Sequence, residues 1–135
     1  MKLEDAVAIA SAGMKVQGVR VRLASENLAN ASSTAAEPGG DPYRRKTVSF
    51  RESLDRARDL RLVDVARYDV DHTAFERRYD PAHPAADDTG YVLMPNVRPL
   101  VELMDMREAQ RSYEANLNAI SMTRRLVRQT LDLLR

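Results

Sequence analysis

The chain has 135 residues, a formal net charge of +1 and no cysteine. This length fits one domain, the balanced charge argues against a general nucleic-acid binder, and the lack of thiols excludes disulfides and thiolate metal sites. No segment approaches the roughly 20 apolar residues of a membrane span, so no direct membrane insertion is expected.

A heptad pattern predicts one helix over residues 3–30. Apolar or small residues recur there at alternating spacings of three and four, as at the a and d positions of a coiled coil. The positions of this first heptad are Leu3, Val7, Ala10, Met14, Gln17, Val21, Ala24 and Leu28. Glu4 and Asp5 suit the positive end of the helix dipole. The apolar run at 6–12 resembles a short signal peptide, but acidic residues precede it and the heptad continues through it, so no cleaved leader is expected.

The middle of the chain predicts a loop followed by a small β-rich insertion. Residues 31–42 form the loop, because a Pro-Gly-Gly-Asp-Pro run ends it. Strands or short extended pieces are predicted at 43–50, 62–70, 75–79 and 91–94. Within the second of these, the apolar residues change face between Val65 and Tyr68, which indicates a bulge or bend. The charged stretch 51–60 is ambiguous.

Residues 99–135 predict a second long helix, with Pro99 in its first turn. Its heptad positions are Leu103, Met106, Gln110, Tyr113, Leu117, Ile120, Arg124, Val127, Leu131 and Leu134. A helix of this length spans about 50 Å, which is too long for a compact globule of this mass.

The predicted fold is therefore mainly α with a small β-rich insertion and an extended shape. The two terminal helices are expected to form an antiparallel coiled-coil hairpin, with the insertion at its far end. This divides the chain into an N-terminal helical segment (1–34), a loop and β-rich insertion (35–96), and a C-terminal helical segment (97–135).

Candidate sites for chemistry are weak. Asp80, His83, Asp87 and Asp88 could ligate a divalent ion, so a small metal-dependent hydrolase that uses the first three of them is one alternative. Prolines stiffen this stretch into a surface turn, however, and no second histidine lies at ligand spacing. No serine lies in a nucleophile elbow, and no glycines form a phosphate loop. We predict no enzymatic activity, no catalytic residue, no cofactor and no metal. The arginines of residues 124–128 favour a dipole-complementing helix end over a lipid or nucleic-acid site.

Four stretches in order resemble signatures of the flagellar axial proteins, the rod and hook family. Residues 25–30, Ser-Glu-Asn-Leu-Ala-Asn, resemble the N-terminal signature, and residues 111–116, Arg-Ser-Tyr-Glu-Ala-Asn, resemble the C-terminal one. Residues 42–50 resemble the segment after the first loop, and residues 79–97 resemble the hallmark of the proximal rod members. The motif residues between the helices are Tyr43, Arg44, Tyr79, Asp80, Pro81, Pro84, Gly90, Tyr91, Pro95 and Asn96.

The resemblance implies a non-enzymatic structural subunit of the bacterial flagellar basal-body rod, a periplasmic shaft. It implies export by the flagellar type III apparatus without a cleaved leader, and terminal helices that form the wall of a tube around the export channel and transmit torque. The implied partners are other proximal and distal rod subunits, rod–rotor-ring junction proteins, the export apparatus and further copies of the chain.

The residues expected at the assembly interface combine heptad positions with the polar members of the terminal signatures. They are Leu3, Val7, Met14, Val21, Asn27, Leu28, Asn30, Ser112, Tyr113, Asn116, Leu117, Ile120, Val127, Leu131 and Leu134. The alternative of another class is a cytoplasmic coiled-coil adaptor or export chaperone. It would share the heptads but would not need the Tyr-Asp-Pro and Met-Pro-Asn-Val segments.

Overall fold

The fold consists of two long helices at the chain ends and two small antiparallel sheets between them. The computed structural model describes residues 2–134. In chain order the elements are α1 (Leu3–Ala29), β1 (Lys46–Asp55), β2 (Leu60–Val70), β3 (Glu76–Tyr79), β4 (Tyr91–Met94) and α2 (Pro99–Leu133). Each predicted helix and extended segment is present, and the main change is that β1 continues into the ambiguous charged stretch. Neither helix in this described range is long and apolar enough to cross a membrane.

The ends of α1 are closed by local hydrogen bonds of the expected kind. At its start, the backbone N–H of Lys2 donates to Oδ2 of Asp5 at 2.7 Å, and carboxylates in this turn complement the helix dipole. At its end, Asn30 donates to the carbonyl of Glu26 from its backbone N–H (3.1 Å) and from its side-chain amide (2.9 Å). These bonds supply partners that the terminal turns of a helix otherwise lack.

β1 and β2 form an antiparallel hairpin with a bulge. Ser49 pairs with Arg67 but Phe50 pairs with Val65, so Ala66 is the extra residue on β2. This confirms the bend that the change of apolar face predicted between Val65 and Tyr68. The second sheet is shorter and pairs β3 with β4.

α1 and α2 contact each other with opposed chain directions. Gly13 lies beside Asn116, since a Cβ at Gly13 would come within 2.8 Å of that amide nitrogen. About two turns further along α1, Arg20 Nη2 lies 2.6 Å from Oδ1 of Asp105. At the end of α1, the side chain of Asn27 reaches α2.

The face through which the helices touch differs from the predicted heptads by about one residue. The buried residues of the two helices are Ala10, Val16, Leu23, Ala24, Asn27, Glu102, Ala109 and Ile120. Of these only Ala10, Ala24 and Ile120 belong to the predicted positions, and one residue is a rotation of about 100° on a helix. The observed face carries small side chains, which permit a close approach, and polar ones that bond across it. Several larger apolar residues of the heptads, such as Leu3, Leu117 and Leu131, are exposed instead.

Candidate functional site

Asn27 lies at the centre of a buried polar junction between α1, β1 and α2. Its side chain is 2% exposed. Its amide donates to the carbonyl of Lys46 at 2.9 Å and to Oε2 of Glu102 at 3.2 Å. Its Oδ1 accepts from the N–H of Lys46 and from the hydroxyl of Tyr43, both at 2.9 Å. One side chain thus joins both helices to the first strand.

Glu102 is the only charged residue that the described part of the chain buries fully, at 1% exposure. Nε of Arg45 donates to its Oε1, so each carboxylate oxygen has a partner. A buried carboxylate without such partners would cost several kcal/mol. Nη1 of Arg45 also lies 3.8 Å from Oδ2 of Asp71, so the guanidinium connects α2 to the segment that follows β2.

Asn96 connects the same segment to the start of α2. Its Oδ1 accepts from the N–H of Arg45 at 2.8 Å. Its amide donates to the carbonyl of Asp71 at 2.8 Å and to Oγ1 of Thr73 at 3.1 Å. Arg44 donates to the carbonyl of Asp71 at 3.2 Å and stacks over the ring of Phe75, 4.1 Å from its centroid. The motif residues Arg44 and Asn96, together with Arg45, therefore hold the chain on both sides of the hairpin.

Two ionisable groups of the junction titrate away from their usual values. Burial, with the nearby Glu26 carboxylate, raises the pKa of the Tyr43 hydroxyl, which therefore stays a hydrogen-bond donor to Asn27. Hydrogen bonds from the backbone and hydroxyl of Thr73 lower the pKa of Asp71, and Arg45 adds to this effect.

The hallmark stretch 79–97 begins at the last residue of β3, forms the turns between β3 and β4, and contains all of β4. Gly90 has φ +82, and a Cβ there would lie 3.0 Å from Cε2 of Tyr79 and 3.1 Å from Cβ of Pro81. A side chain at Gly90 would therefore be strained and crowded. The Tyr79 and Tyr91 rings meet edge to face with centroids 5.2 Å apart. Val92, the second residue of β4, is fully buried.

The acidic residues of this turn act locally. Oδ1 of Asp87 accepts from the N–H groups of Thr89 and Tyr91 at 2.9 and 3.0 Å and from the Thr89 hydroxyl at 2.6 Å. Nδ1 of His83 accepts from the N–H of Ala85 at 3.1 Å. No group of three His, Cys, Asp or Glu residues that could hold a metal ion occurs in the described range 2–134. The Asp80, His83 and Asp87 site of the hydrolase alternative is not assembled.

The fifteen residues expected at the assembly interface separate into three groups by burial. Asn27 and Ile120 are buried within the chain. The half-buried members are Val7, Met14, Val21, Leu28, Asn30, Ser112 and Asn116. The exposed members are Leu3, Tyr113, Leu117, Val127, Leu131 and Leu134. We call these last six residues the exposed stripe; five of them are leucines or valines, and they line positions that α1 and α2 do not use for each other.

Sequence reasoning missed two of the junction residues, Arg45 and Glu102. Glu102 lies in the first turn of α2, where an acidic residue is already explained by the helix dipole. Its partners lie 57 and 75 residues earlier in the chain. Arg45 stands beside a motif arginine with no feature that separates the two. The one available signal was the motif position of Asn27, Arg44 and Asn96, which the structure brings together around them.

Comparison with known proteins adds two findings. Residues 88–133 match the family model described as the C-terminal region of the flagellar basal body rod proteins FlgEFG. Across nearly its whole length the chain is also similar to proteins called flagellar basal-body rod protein FlgC. That of Agrobacterium fabrum strain C58 is 53% identical over 133 residues, with 98% of this chain and 96% of that protein covered.

More distant relatives carry the same description. The protein of Aquifex aeolicus strain VF5 is 36% identical, with 98% of this chain and 97% of the relative covered. The protein of Salmonella typhimurium strain LT2 is 35% identical, with 98% of both chains covered. The similarity therefore includes both helices and the insertion between them.

Proposed function

This chain belongs to the FlgC family of flagellar basal-body rod proteins, and we propose that it builds the proximal rod through apolar side chains that the chain itself leaves uncovered. It is a structural subunit of the flagellar basal body, and its relatives are structural rod proteins rather than enzymes. The adaptor, chaperone and hydrolase alternatives have no support from relatives that match along the whole chain.

The exposed stripe carries this proposal. Leu117, Leu131 and Leu134 are 45%, 58% and 80% exposed. Burial of apolar surface at a subunit contact stabilises the contact by about 25 cal/mol per Å². These side chains repeat at heptad spacing along α2, which is the pattern through which helices pack in parallel arrays. In the proposed assembly, α1 and α2 form an antiparallel helical hairpin whose stripe packs against neighbouring subunits in the wall of the tube.

The polar junction supports the stripe rather than forming part of it. Asn27, Arg45 and Glu102 fix the insertion to the helices through bonds to both. A subunit whose parts are held in one arrangement transmits torque without internal yielding. We propose that the neighbours are other proximal and distal rod subunits, rotor-ring junction proteins and further copies, packed around the export channel through which the flagellar type III apparatus delivers them.

A charge on the stripe should separate assembly from folding. Leu131→Asp is expected to abolish swimming and rod incorporation, because a carboxylate would have to be desolvated at the subunit contact. Since Leu131 is 58% exposed in the chain, expression and helicity should not change. The matched control is Gln129→Asp, the same charge on an exposed polar position of the same turn. Cells that swim normally with Leu131→Asp would remove the stripe from the proposal.

A further inference from the structure

The β1–β2 hairpin has two unpaired edges. It is a sheet of two strands only, and such a sheet is marginal when it stands alone. The N–H and C=O of Lys46 both bond Asn27 at 2.9 Å and so point away from β2. Because backbone groups alternate in direction along an antiparallel strand, those of Phe50, Glu52 and Leu54 point the same way.

In the described part of the chain, these outward groups beyond Lys46 have no hydrogen-bond partner outside the hairpin. Within residues 2–134, no backbone hydrogen bond from outside the hairpin ends on residues 47–54 or 60–69. Of the two hairpin strands, α1 contacts β2 more than β1, but among the described residues its side chains bond the hairpin backbone only through the two bonds between Asn27 and Lys46. Free strand edges are templates for another strand, and a bulge such as that at Ala66 limits how far an added ladder can run. The distal parts, 50–55 and 60–65, contain no bulge.

We propose that these distal parts are a strand-addition site, through which the β1 edge of one copy of this chain pairs with the β2 edge of the next. The proposal rests on the rod function given above. The register that joins the strands within the hairpin pairs Phe50 with Val65, Arg51 with Asp64 and Glu52 with Val63. The same register between copies again places Arg51 opposite Asp64, and it sets outward backbone groups against outward ones.

The symmetry of this contact identifies a second copy as the occupant. The outer edges of β1 and β2 differ in sequence but are similar in length. Two copies joined β1 to β2 therefore leave a free β2 edge at one end of the pair and a free β1 edge at the other. Such a heterologous contact generates an open series, as a helical rod requires. Pairing of β1 with β1 would instead close into a twofold dimer and stop growth.

The absence of cysteine makes the contact measurable by single introduced thiols. Arg51→Cys and Asp64→Cys are placed in separate chains that carry different tags and are co-expressed in a motile bacterium that lacks its own copy. In the proposed pairing these positions face each other in a non-hydrogen-bonded pair, with Cα atoms about 4.5 Å apart, which a disulfide can bridge. After oxidation, isolated basal bodies should contain a mixed species of about twice the 15.2 kDa chain mass.

Two controls test register and edge. Arg67→Cys in place of Asp64→Cys lies beyond the bulge and should give no mixed species with Arg51→Cys. Glu52→Pro removes an outward N–H while leaving the ladder inside the hairpin intact, as proline is tolerated at strand edges. Added to the Arg51→Cys chain, it should abolish the mixed species with no loss of thermal stability.

The results separate the two proposals. Basal bodies that contain the chains without the mixed species, or with Arg51→Cys dimers alone, would overturn strand addition and leave the rod function standing. Chains that are absent from basal bodies, although each single variant is expressed and folded, would overturn the rod function and strand addition together.

Discussion

At the scale of residues, Asn27 and Glu102 show why a rod subunit buries polar side chains. Both are almost fully enclosed, and every one of their buried side-chain polar atoms has a partner. Replacing such a network by apolar residues can be neutral, but breaking it by removing one member is costly. The network also constrains direction, because each hydrogen bond fixes the angle between the elements that it joins.

Asn27→Ala should destabilise the chain by about 2–4 kcal/mol. The substitution removes the partner of Glu102 Oε2, of the Tyr43 hydroxyl and of the Lys46 backbone, and each buried polar group left unpaired costs about 1–3 kcal/mol. Urea unfolding of the purified chain measures the change. Asn118→Ala, an exposed asparagine of α2, is the matched control and should stay within about 0.5 kcal/mol of the parent.

The lowered pKa of Asp71 predicts a loss of stability in acid. Its carboxylate accepts from Thr73 and lies near Arg45, so the pKa of Asp71 in the folded chain is below that of an ordinary aspartate. The contribution is therefore present above the unfolded pKa and is lost as the pH falls through the folded pKa. Unfolding free energies from about pH 6 to about pH 3 should fall less steeply for Asp71→Asn than for the parent. Asp88→Asn, at an exposed aspartate, is the matched control. Equal pH slopes for Asp71→Asn and the parent would contradict the prediction.

At the scale of elements, hydrophobic periodicity predicted the helices but not the face they share. α1 and α2 begin and end within two residues of the expected positions, because long periodic segments dominate local preference. The predicted packing face of each helix was wrong by about one residue. Small and polar residues such as Gly13 and Asn116 form the contact, and a search for apolar heptad positions does not identify residues of this kind. The sequence did not predict the full length of β1 either. Its charged residues 51–55 are stabilised as a strand by cross-strand pairs such as Glu52 with Arg61, at 3.2 Å, which form only in the folded hairpin.

Gly13 and Gly18 form a matched pair that tests the close approach of the helices. A Cβ at Gly13 would lie 2.8 Å from Nδ2 of Asn116, whereas a Cβ at Gly18 meets nothing within 4 Å. Alanine is better than glycine in a helix interior by about 0.5–1 kcal/mol, so Gly18→Ala should stabilise the chain by about that amount. Gly13→Ala should forfeit the gain and destabilise by about 1 kcal/mol, because Asn116 must leave its bond to the Ser112 carbonyl. Thermal or urea unfolding distinguishes the two, and equal stabilisation by both would exclude a tight contact at Gly13.

At the scale of the whole molecule, α2 extends past the helix on which it rests. Gly13 faces Asn116, so the ten residues back to Leu3 correspond to ten residues forward, which end at Leu126. Since α1 begins at Leu3, no described residue of α1 faces residues 127–133. We call residues 127–133 the overhang. Three members of the exposed stripe lie in it or directly after it: Val127, Leu131 and Leu134. The two most exposed large apolar residues, Leu133 at 87% and Leu134 at 80%, therefore lie at the end of α2 that no described residue of α1 faces.

Hydrogen exchange should divide α2 at this point. Helix ends fray when nothing packs against them, so in the free chain the amides of residues 127–133 should exchange much faster than those of residues 105–116, which α1 protects. In isolated basal bodies the overhang should become protected, because the proposed neighbours cover its apolar side chains. Mass spectrometry of peptides from both samples measures this directly. If the overhang is as protected in the free chain as residues 105–116, then its order does not depend on neighbours, and the stripe would have to act as a preformed surface rather than as a segment that assembly completes.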